Sequence, residues 1–130
     1  MSKRDLVNEW LEIARDEYEA ALFLFEKKHR KPLEVICYLC QQSVEKSLKG
    51  YLCAQDAEIP KIHALKVLCD LCGEFNREFL MFFRACEQIE TYATGTRYPN
   101  RIEVDEHDAK AALSNASEVL KFVSEQIKKL

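Results

Sequence analysis

The central stretch of the chain, residues 33–54, reads LEVICYLCQQSVEKSLKGYLCA. Apolar or small residues fill most of its helical wheel, and the polar ones share one narrow arc. These polar residues are Gln41, Gln42, Glu45, Lys46 and Lys49. We therefore predict a helix over Leu33–Ala54 that is the most buried helix of the chain. Ser43, Ser47 and Gly50 form a strip of small residues on which another backbone can pack closely.

Apolar residues recur at three- and four-residue steps on both sides of this stretch, which predicts four further helices. They are expected at about Asp5–Lys28, His63–Cys72, Arg77–Ala93 and Asp105–Lys129. Gly73 is the expected cap after the shortest of them. Short connections between long amphipathic helices are typical of antiparallel neighbours. The sequence thus predicts an all-α fold, an antiparallel up-and-down bundle of four to five helices forming a single domain over residues 1–130.

The length, composition and net charge of the chain agree with such a domain. The chain has 130 residues, 48% of them hydrophobic, and a formal net charge of −3. A chain of this size buries about two-thirds of its unfolded surface and needs no metal or disulfide to fold. Because the chain is not basic overall, any nucleic-acid contact has to come from a local patch. We see no secretory signal and no apolar run of membrane length, so we expect a cytoplasmic protein with no membrane contact.

Six cysteines include the pairs Cys37-x-x-Cys40 and Cys69-x-x-Cys72, which are spaced like halves of a zinc site. Zinc needs four donors that converge on a tetrahedron. Both pairs fall inside predicted helices, where a thiol behaves as a small buried hydrophobe. We therefore expect free thiols, with no metal site and no cofactor.

Glu17 lies on the apolar side of the first predicted helix, where a carboxylate needs a partner. We expect a structural bond to Lys46 or Lys49 of the central helix. A catalytic acid is the alternative interpretation.

The segment TGTRYPNR, residues 94–101, breaks the helical pattern. Arg97 offers a planar fork for phosphate, and Tyr98 offers a ring on which a base can stack. His107 follows Arg101 by six residues, and a histidine can take a proton from a ribose hydroxyl. Arg101 and His107 would suffice for metal-independent RNA cleavage by 2′-hydroxyl attack. The alternative is a stiff turn in which Arg97 pairs with a carboxylate of the bundle.

Several segments together resemble one family. Residues 40–52, CQQSVEKSLKGYL, resemble the Gln-Gln-Ala-x-Glu-Lys-x-Leu-Lys-Ala signature of HEPN domains, the "higher eukaryotes and prokaryotes nucleotide-binding" bundles. Trp10 with Ala14 and Glu17-Tyr18 is similar to a second motif, with Glu in place of Asp. Residues 60–65, PKIHAL, resemble Pro-x-Thr-His-x-Leu, with Ile62 in place of Thr. Residues 97–99 match the Arg-Tyr-Pro branch of the family.

This resemblance implies a bundle of four or five helices that associates as a homodimer or a higher homo-oligomer. The cluster of Phe79, Phe82 and Phe83 supports self-association, because it adds more apolar surface than one core readily uses. Small stand-alone prokaryotic relatives are often paired with a minimal nucleotidyltransferase protein, as in toxin–antitoxin modules. Other relatives cleave RNA with an Arg, four to six residues, and then a His, which Arg101 and His107 satisfy.

Three functions follow as expectations. The preferred one is a binding and interaction module for a nucleotide or RNA, with Arg97, Tyr98, His63 and Lys49 as ligand-binding residues. The second is a metal-independent ribonuclease toxin that uses Arg101 and His107 as catalytic residues. The third is a bundle that serves only in assembly.

Overall fold

The computed structural model describes residues 1–94 and 103–130. Its elements, in chain order, are α1 (Lys3–Lys27), α2 (Leu33–Ala54), α3 (Leu65–Phe75), a 3₁₀ helix (Arg77–Phe82), α4 (Phe83–Thr94) and α5 (Glu106–Lys128). No strand occurs in the described residues. The protein is therefore an all-α bundle, as the sequence predicted.

Both long outer helices begin at a capping box. The Ser2 side chain accepts a hydrogen bond from the Asp5 amide, and the Asp5 carboxylate accepts one from the Ser2 amide. Asp105 and Asp108 repeat this arrangement at the start of α5. Such reciprocal bonds satisfy two amide groups that a helix start leaves open, and they fix where α1 and α5 begin.

The α2 helix forms the centre of the bundle, and α1, α3, α4 and α5 all pack against it. Its small-residue strip lets α1 come very close. Ser43 Oγ donates to the Ala14 carbonyl over 2.7 Å. A Cβ placed on Gly50 would lie 3.1 Å from the Cβ of Trp10, so little more than a hydrogen atom fits there. The predicted close approach is confirmed, and α1 is the helix that makes it.

The α3 region differs from the prediction at both ends. His63 precedes the helix, which begins at Leu65, and the helix continues through Gly73 to Phe75. Gly73 is not a cap. It is a buried position beneath Leu80, whose Cδ2 would lie 2.6 Å from a Cβ on Gly73. Asn76 ends the helix instead, and its side chain accepts a hydrogen bond from the Glu78 amide at the start of the 3₁₀ helix.

The predicted helix over Arg77–Ala93 is likewise two elements, because its first turns are 3₁₀. This geometry turns Phe79 into the core, where it is fully buried. Its ring lies 4.4 Å from that of Tyr51 and 5.0 Å from that of Phe122. Phe82 and Phe83 also pack against the core. The phenylalanine cluster is therefore part of one bundle's own core, and its use as a sign of surplus apolar surface was wrong.

Five of the six cysteines are buried, and Cys53 is partly exposed. Cys69 Sγ donates to the Phe79 carbonyl over 3.2 Å, and Cys72 Sγ to the Leu48 carbonyl over 3.5 Å. The predicted burial of both Cys-x-x-Cys pairs is confirmed. Within residues 1–94 and 103–130, no group of His, Cys, Asp and Glu side chains is arranged to hold a metal ion. None of the described helices is long and apolar enough to cross a membrane.

Candidate functional site

A buried carboxylate, Glu45, organises the polar residues of α2. Lys49 Nζ lies 3.0 Å from Glu45 Oε2, and Gln41 Nε2 donates to Glu45 Oε1 over 3.3 Å. His63 Nδ1 lies 3.0 Å from each carboxylate oxygen. Only 2% of the Glu45 side chain and 8% of the Lys49 side chain are exposed. Both oxygens of this carboxylate are thus engaged by neighbours, as a buried charge requires.

The ionisation of Glu45 follows from these neighbours. Burial alone would raise the pKa of this carboxyl group. The hydrogen bonds from Lys49 and His63, together with their charges, outweigh burial and hold the pKa below its ordinary value of 4.5. Glu45 is therefore an anion at neutral pH, and Lys49 directs its ammonium group to that anion rather than to solvent.

His63 is positioned by both its ring and its backbone. Its carbonyl accepts a hydrogen bond from Gln41 Nε2 over 3.0 Å, while its Nδ1 faces Glu45. An ionised carboxylate only accepts hydrogen bonds, so Nδ1 must carry the proton. The other ring nitrogen, Nε2, is then directed away from Glu45. Because 78% of the His63 side chain is exposed, Nε2 is open to a ligand in a fixed orientation.

The same network continues to α1. Gln42 Nε2 donates to Gln41 Oε1 over 3.0 Å, and Lys46 Nζ donates to Gln42 Oε1 over 2.9 Å. Lys46 Nζ also lies 3.4 Å from Glu17 Oε1. Of the two donors expected for Glu17, Lys46 is confirmed. Burial raises the Glu17 pKa and is only partly offset by Lys46, so this pair is weaker than the one at Glu45.

His107 lies elsewhere, in the first turn of α5, where it is exposed. It borders a pocket of about 250 Å³ between α4 and α5, together with Tyr92 and Asp108. The Asp108 carboxylate, aided by burial, raises the pKa of the Tyr92 phenol. Asp105 and Glu106 directly precede His107 in the sequence, so this end of the pocket is rich in negative charge.

A second pocket, of about 410 Å³, adjoins the first on α4, and both include Gln88 and Tyr92. Lys66 and Arg84 line it and bring positive charge. The Lys66 ammonium lies 3.8 Å from a carboxylate oxygen of Glu87. Two pockets that share Gln88 and Tyr92 therefore lie along α4, one beside Lys66 near the start of α3 and the other at the start of α5.

His63 and the start of α5 approach α2 at different heights. Burial and the Asp108 carboxylate raise the pKa of the Cys37 thiol to about 11, which indicates that Asp108 lies near Cys37. His63 contacts Glu45, eight residues further along the same helix. Two turns of helix separate these positions by about 12 Å.

Arg97, Tyr98 and Arg101 lie outside the described residues. The segment that contains them joins α4, which ends at Thr94, to α5, which begins at Glu106.

Sequence reasoning missed the role of Glu45 and Gln41. The helical wheel places both on the polar arc of α2, yet the structure buries them. The signal was present in the spacing, because Gln41, Glu45 and Lys49 follow one another at four-residue steps. The same spacing occurs in ion pairs that face solvent, so spacing alone does not show that Glu45 and Lys49 are buried. The connection between α2 and α3, which contains His63 and covers this arc, lies about twenty residues away in the sequence.

The structure thus defines a small all-α bundle whose central helix carries a buried polar network that reaches the surface at His63. The chain belongs to the HEPN domain family, which matches residues 7–127.

Two solved structures share the fold of this chain. The chain is similar to TT1696 from Thermus thermophilus, with 25% identity and a TM-score of 0.78 over 92% of this chain and 96% of that one. It is also similar in fold to ST0689, an archaeal HEPN homologue, with 24% identity and a TM-score of 0.72 over 93% of this chain and 97% of that one. No curated protein matches the chain.

Proposed function

We propose that this HEPN domain, taken as one domain over residues 1–130, is a binding and interaction module for a nucleotide or RNA. One observation carries the proposal: an exposed His63 ring is held in a fixed orientation by the buried Glu45 carboxylate. The same contact also helps to satisfy the buried Glu45 carboxylate. Fixing the ring in advance reduces the ordering cost of ligand binding.

The chemistry of His63 suits a ribose phosphate. When neutral, Nε2 accepts a hydrogen bond from a sugar hydroxyl; when protonated, it donates one to a phosphate oxygen. Lys49 contributes indirectly in this proposal, by neutralising Glu45 beneath the ring. Arg97 supplies a fork for phosphate and Tyr98 a stacking surface, since their segment joins α4 and α5, the two helices that border the 250 Å³ pocket.

A labelled adenine nucleotide and a labelled single-stranded RNA of about twelve nucleotides, within the usual site size for one small domain, would test this by fluorescence anisotropy. We expect His63→Ala and Arg97→Ala to weaken binding, and Arg97→Lys to restore it only partly because Lys lacks the planar fork. His29→Ala is the matched control, since His29 is also exposed but lies in the α1–α2 connection. If neither probe binds the wild-type protein, the assembly-only function takes the place of this proposal.

The partner proposal is separate. We propose a cytoplasmic prokaryotic module that forms homo-oligomers and pairs with a minimal nucleotidyltransferase in a toxin–antitoxin-like system. Membership in the HEPN family supports it. Co-expression with a nucleotidyltransferase encoded next to this protein should give a complex that survives size-exclusion chromatography. A monomeric mass by light scattering at micromolar concentration would count against self-association.

A second candidate function is metal-independent cleavage of RNA by Arg101 and His107. The observation that favours it is the exposure of His107 at the rim of the α4–α5 pocket. His107 would take the proton of a ribose 2′-hydroxyl, whose oxygen attacks the adjacent phosphate and displaces the 5′-oxygen of the next nucleotide. The neighbouring carboxylates repel phosphate, and for this reason binding is the preferred function. Cleavage of single-stranded RNA in the presence of a chelator, lost in His107→Ala, would reverse that preference.

A further inference from the structure

Two further pockets follow one another along the junction of α1 and α5. The first, hereafter the middle pocket, has a volume of about 220 Å³ and lies where α1, α2 and α5 meet; its charged side chains are Arg15 and Lys121. The second, hereafter the end pocket, has a volume of about 460 Å³ and lies between the start of α1 and the end of α5. Its charged side chains are Lys3, Arg4 and Lys128. The charged side chains that line the two pockets are therefore all basic.

At the end pocket, part of this positive charge is already offset. The Lys3 ammonium lies 3.1 Å from Asp56 Oδ2. Asp5 adjoins Arg4 in the sequence, although its carboxylate accepts a hydrogen bond from the amide at the start of α1. Leu130 also lines this pocket, and a carboxylate there would offset one more charge. The end pocket is therefore only weakly positive.

At the middle pocket, neither cation is engaged. Arg15 and Lys121 are exposed, and neither takes part in an ion pair among residues 1–94 and 103–130. Ser124 adds a hydroxyl group to the lining. Four glutamates stand three or four residues from these cations on the same helices but line neither pocket: Glu12, Glu19, Glu118 and Glu125. The middle pocket thus presents an arginine fork, an ammonium group and a hydroxyl group, which are the donors that bind phosphate oxygens.

We propose that the α1–α5 junction holds the phosphate backbone of a single-stranded RNA, with Arg15 and Lys121 as the principal contacts. Arg4 and Lys128 are the next contacts along the strand. Arg4 and Arg15 are eleven residues apart, or about 16 Å along α1, so one phosphate cannot reach both. A basic surface that follows the backbone is a common way to hold single strands. The proposal rests on the proposed function, because it takes RNA as the ligand of this domain.

Two other occupants fit the junction less well. An acidic helix would dock through apolar residues at three- and four-residue steps, whereas the exposed side chains of the middle pocket are Arg15 and Lys121. A second copy in a symmetric contact would bring the basic side chains of both copies together, and like charges oppose binding. Phosphates repeat at intervals along a strand and need only positive charge and hydrogen-bond donors, so RNA fits the junction better than either.

The salt dependence of RNA binding tests the proposal. Fluorescence anisotropy of a labelled RNA of about twelve nucleotides, measured from about 50 to about 300 mM salt, gives the slope of log affinity against log salt. Each phosphate contact on a single strand contributes about 0.7 to this slope. We expect the double variant Arg15→Gln with Lys121→Gln to lower the slope by about 1.4 and to weaken binding at about 50 mM salt by at least about tenfold. Its affinity for a single adenine nucleotide should stay unchanged.

Two single variants are the controls. Arg15→Lys keeps the charge, so it should keep the slope even though the planar fork is lost. Arg77→Gln removes an exposed cation from the 3₁₀ helix, which lines neither pocket, and should change neither the slope nor the affinity. Because all the substituted positions are exposed, each variant should fold, and a circular-dichroism melting curve checks this.

An unchanged salt slope in the double variant would overturn the proposal. Tighter binding of an oligoglutamate peptide than of RNA would also overturn it, because an acidic protein would then be the occupant, and so would a dimer that the double variant dissolves. The two functional proposals fail separately. If His63→Ala abolishes RNA binding while the double variant keeps the wild-type slope, the ligand site at His63 stands without the junction. If the wild-type protein binds the nucleotide but no RNA, the junction proposal is wrong and the nucleotide function remains.

Discussion

Replacing Glu45 with Ala would leave the Lys49 ammonium group in the interior without its counter-charge. In the native protein their side chains are 2% and 8% exposed and lie 3.0 Å apart. Removing one member of a buried pair costs about 3–5 kcal/mol, because the other charge remains buried and unpaired. For a chain of 130 residues, each kcal/mol lowers the melting temperature by about 4 °C. We therefore expect Glu45→Ala to melt about 12–20 °C below wild type in a calorimetric or circular-dichroism experiment.

Two further variants test whether the loss of stability comes from the unpaired Lys49 charge. In the double variant Glu45→Met with Lys49→Met, both charges are gone and apolar groups of similar size fill the space, so most of the lost stability should return. Glu118→Ala removes an exposed glutamate from α5 and should stay within about 0.5 kcal/mol of wild type. A Glu45→Ala protein that melts within about 2 °C of wild type would refute the reasoning, because the Lys49 ammonium group would then reach water with no loss of folding free energy.

Low pH should remove the stability that the ionised Glu45 carboxylate contributes. The Glu45 pKa is held below 4.5 in the folded protein, so folding favours the ionised form. The stability gained in this way is complete above the pKa of the unfolded chain and is lost as the pH falls through the lower folded value. The difference in melting temperature between wild type and Glu45→Gln should thus shrink as the pH falls below about 4.5.

Three other predictions follow from the packing. Glu17→Ala should cost only about 1 kcal/mol, because Glu17 and Lys46 are each 21% exposed and their bond is long; a loss above about 3 kcal/mol by chemical denaturation would contradict this. Gly50→Val should cost about 1–3 kcal/mol of folding free energy, since the valine side chain would collide with Trp10. An unchanged denaturation midpoint would contradict this, because α1 would then move away from α2 at no cost. Iodoacetamide at about pH 7.5 should modify Cys53 alone in the native protein, because the other five thiols are buried; mass spectrometry showing rapid modification of a second cysteine would contradict this.

The sequence predicted the helices whose apolar stripe is long and regular. The predicted bounds of α2 match the structure, and α1 and α5 differ by one or two residues at their ends. The failures lie where tertiary contact decides the local geometry. From the sequence alone, Gly73 has the residue type of a helix cap. In the structure it is a glycine for another reason, because the Leu80 side chain leaves no room for a Cβ at this position. The 3₁₀ helix has the same apolar content as an α-helix, so periodicity could not separate the two.

The candidate site was only half predictable. His63 and Lys49 were predicted as ligand-binding residues, and in that role they stay predictions. Their convergence on Glu45 could not be read from the sequence, because it depends on how the connection between α2 and α3 folds back over α2. A wheel assigns polar residues to an arc, and only the packed structure tells whether that arc meets water or another segment of the chain.

The local spacing of the Glu45 network also affects the path by which the protein folds. Three of its hydrogen bonds join residues four positions apart within α2: Gln41 with Glu45, Lys49 with Glu45, and Lys46 with Gln42. Such bonds form together with the helix itself, on a timescale of about a microsecond or less. Distant parts of the chain need longer to assemble. The Glu45 carboxylate therefore has its Lys49 counter-charge within α2 itself, and this pairing needs no residue from another helix.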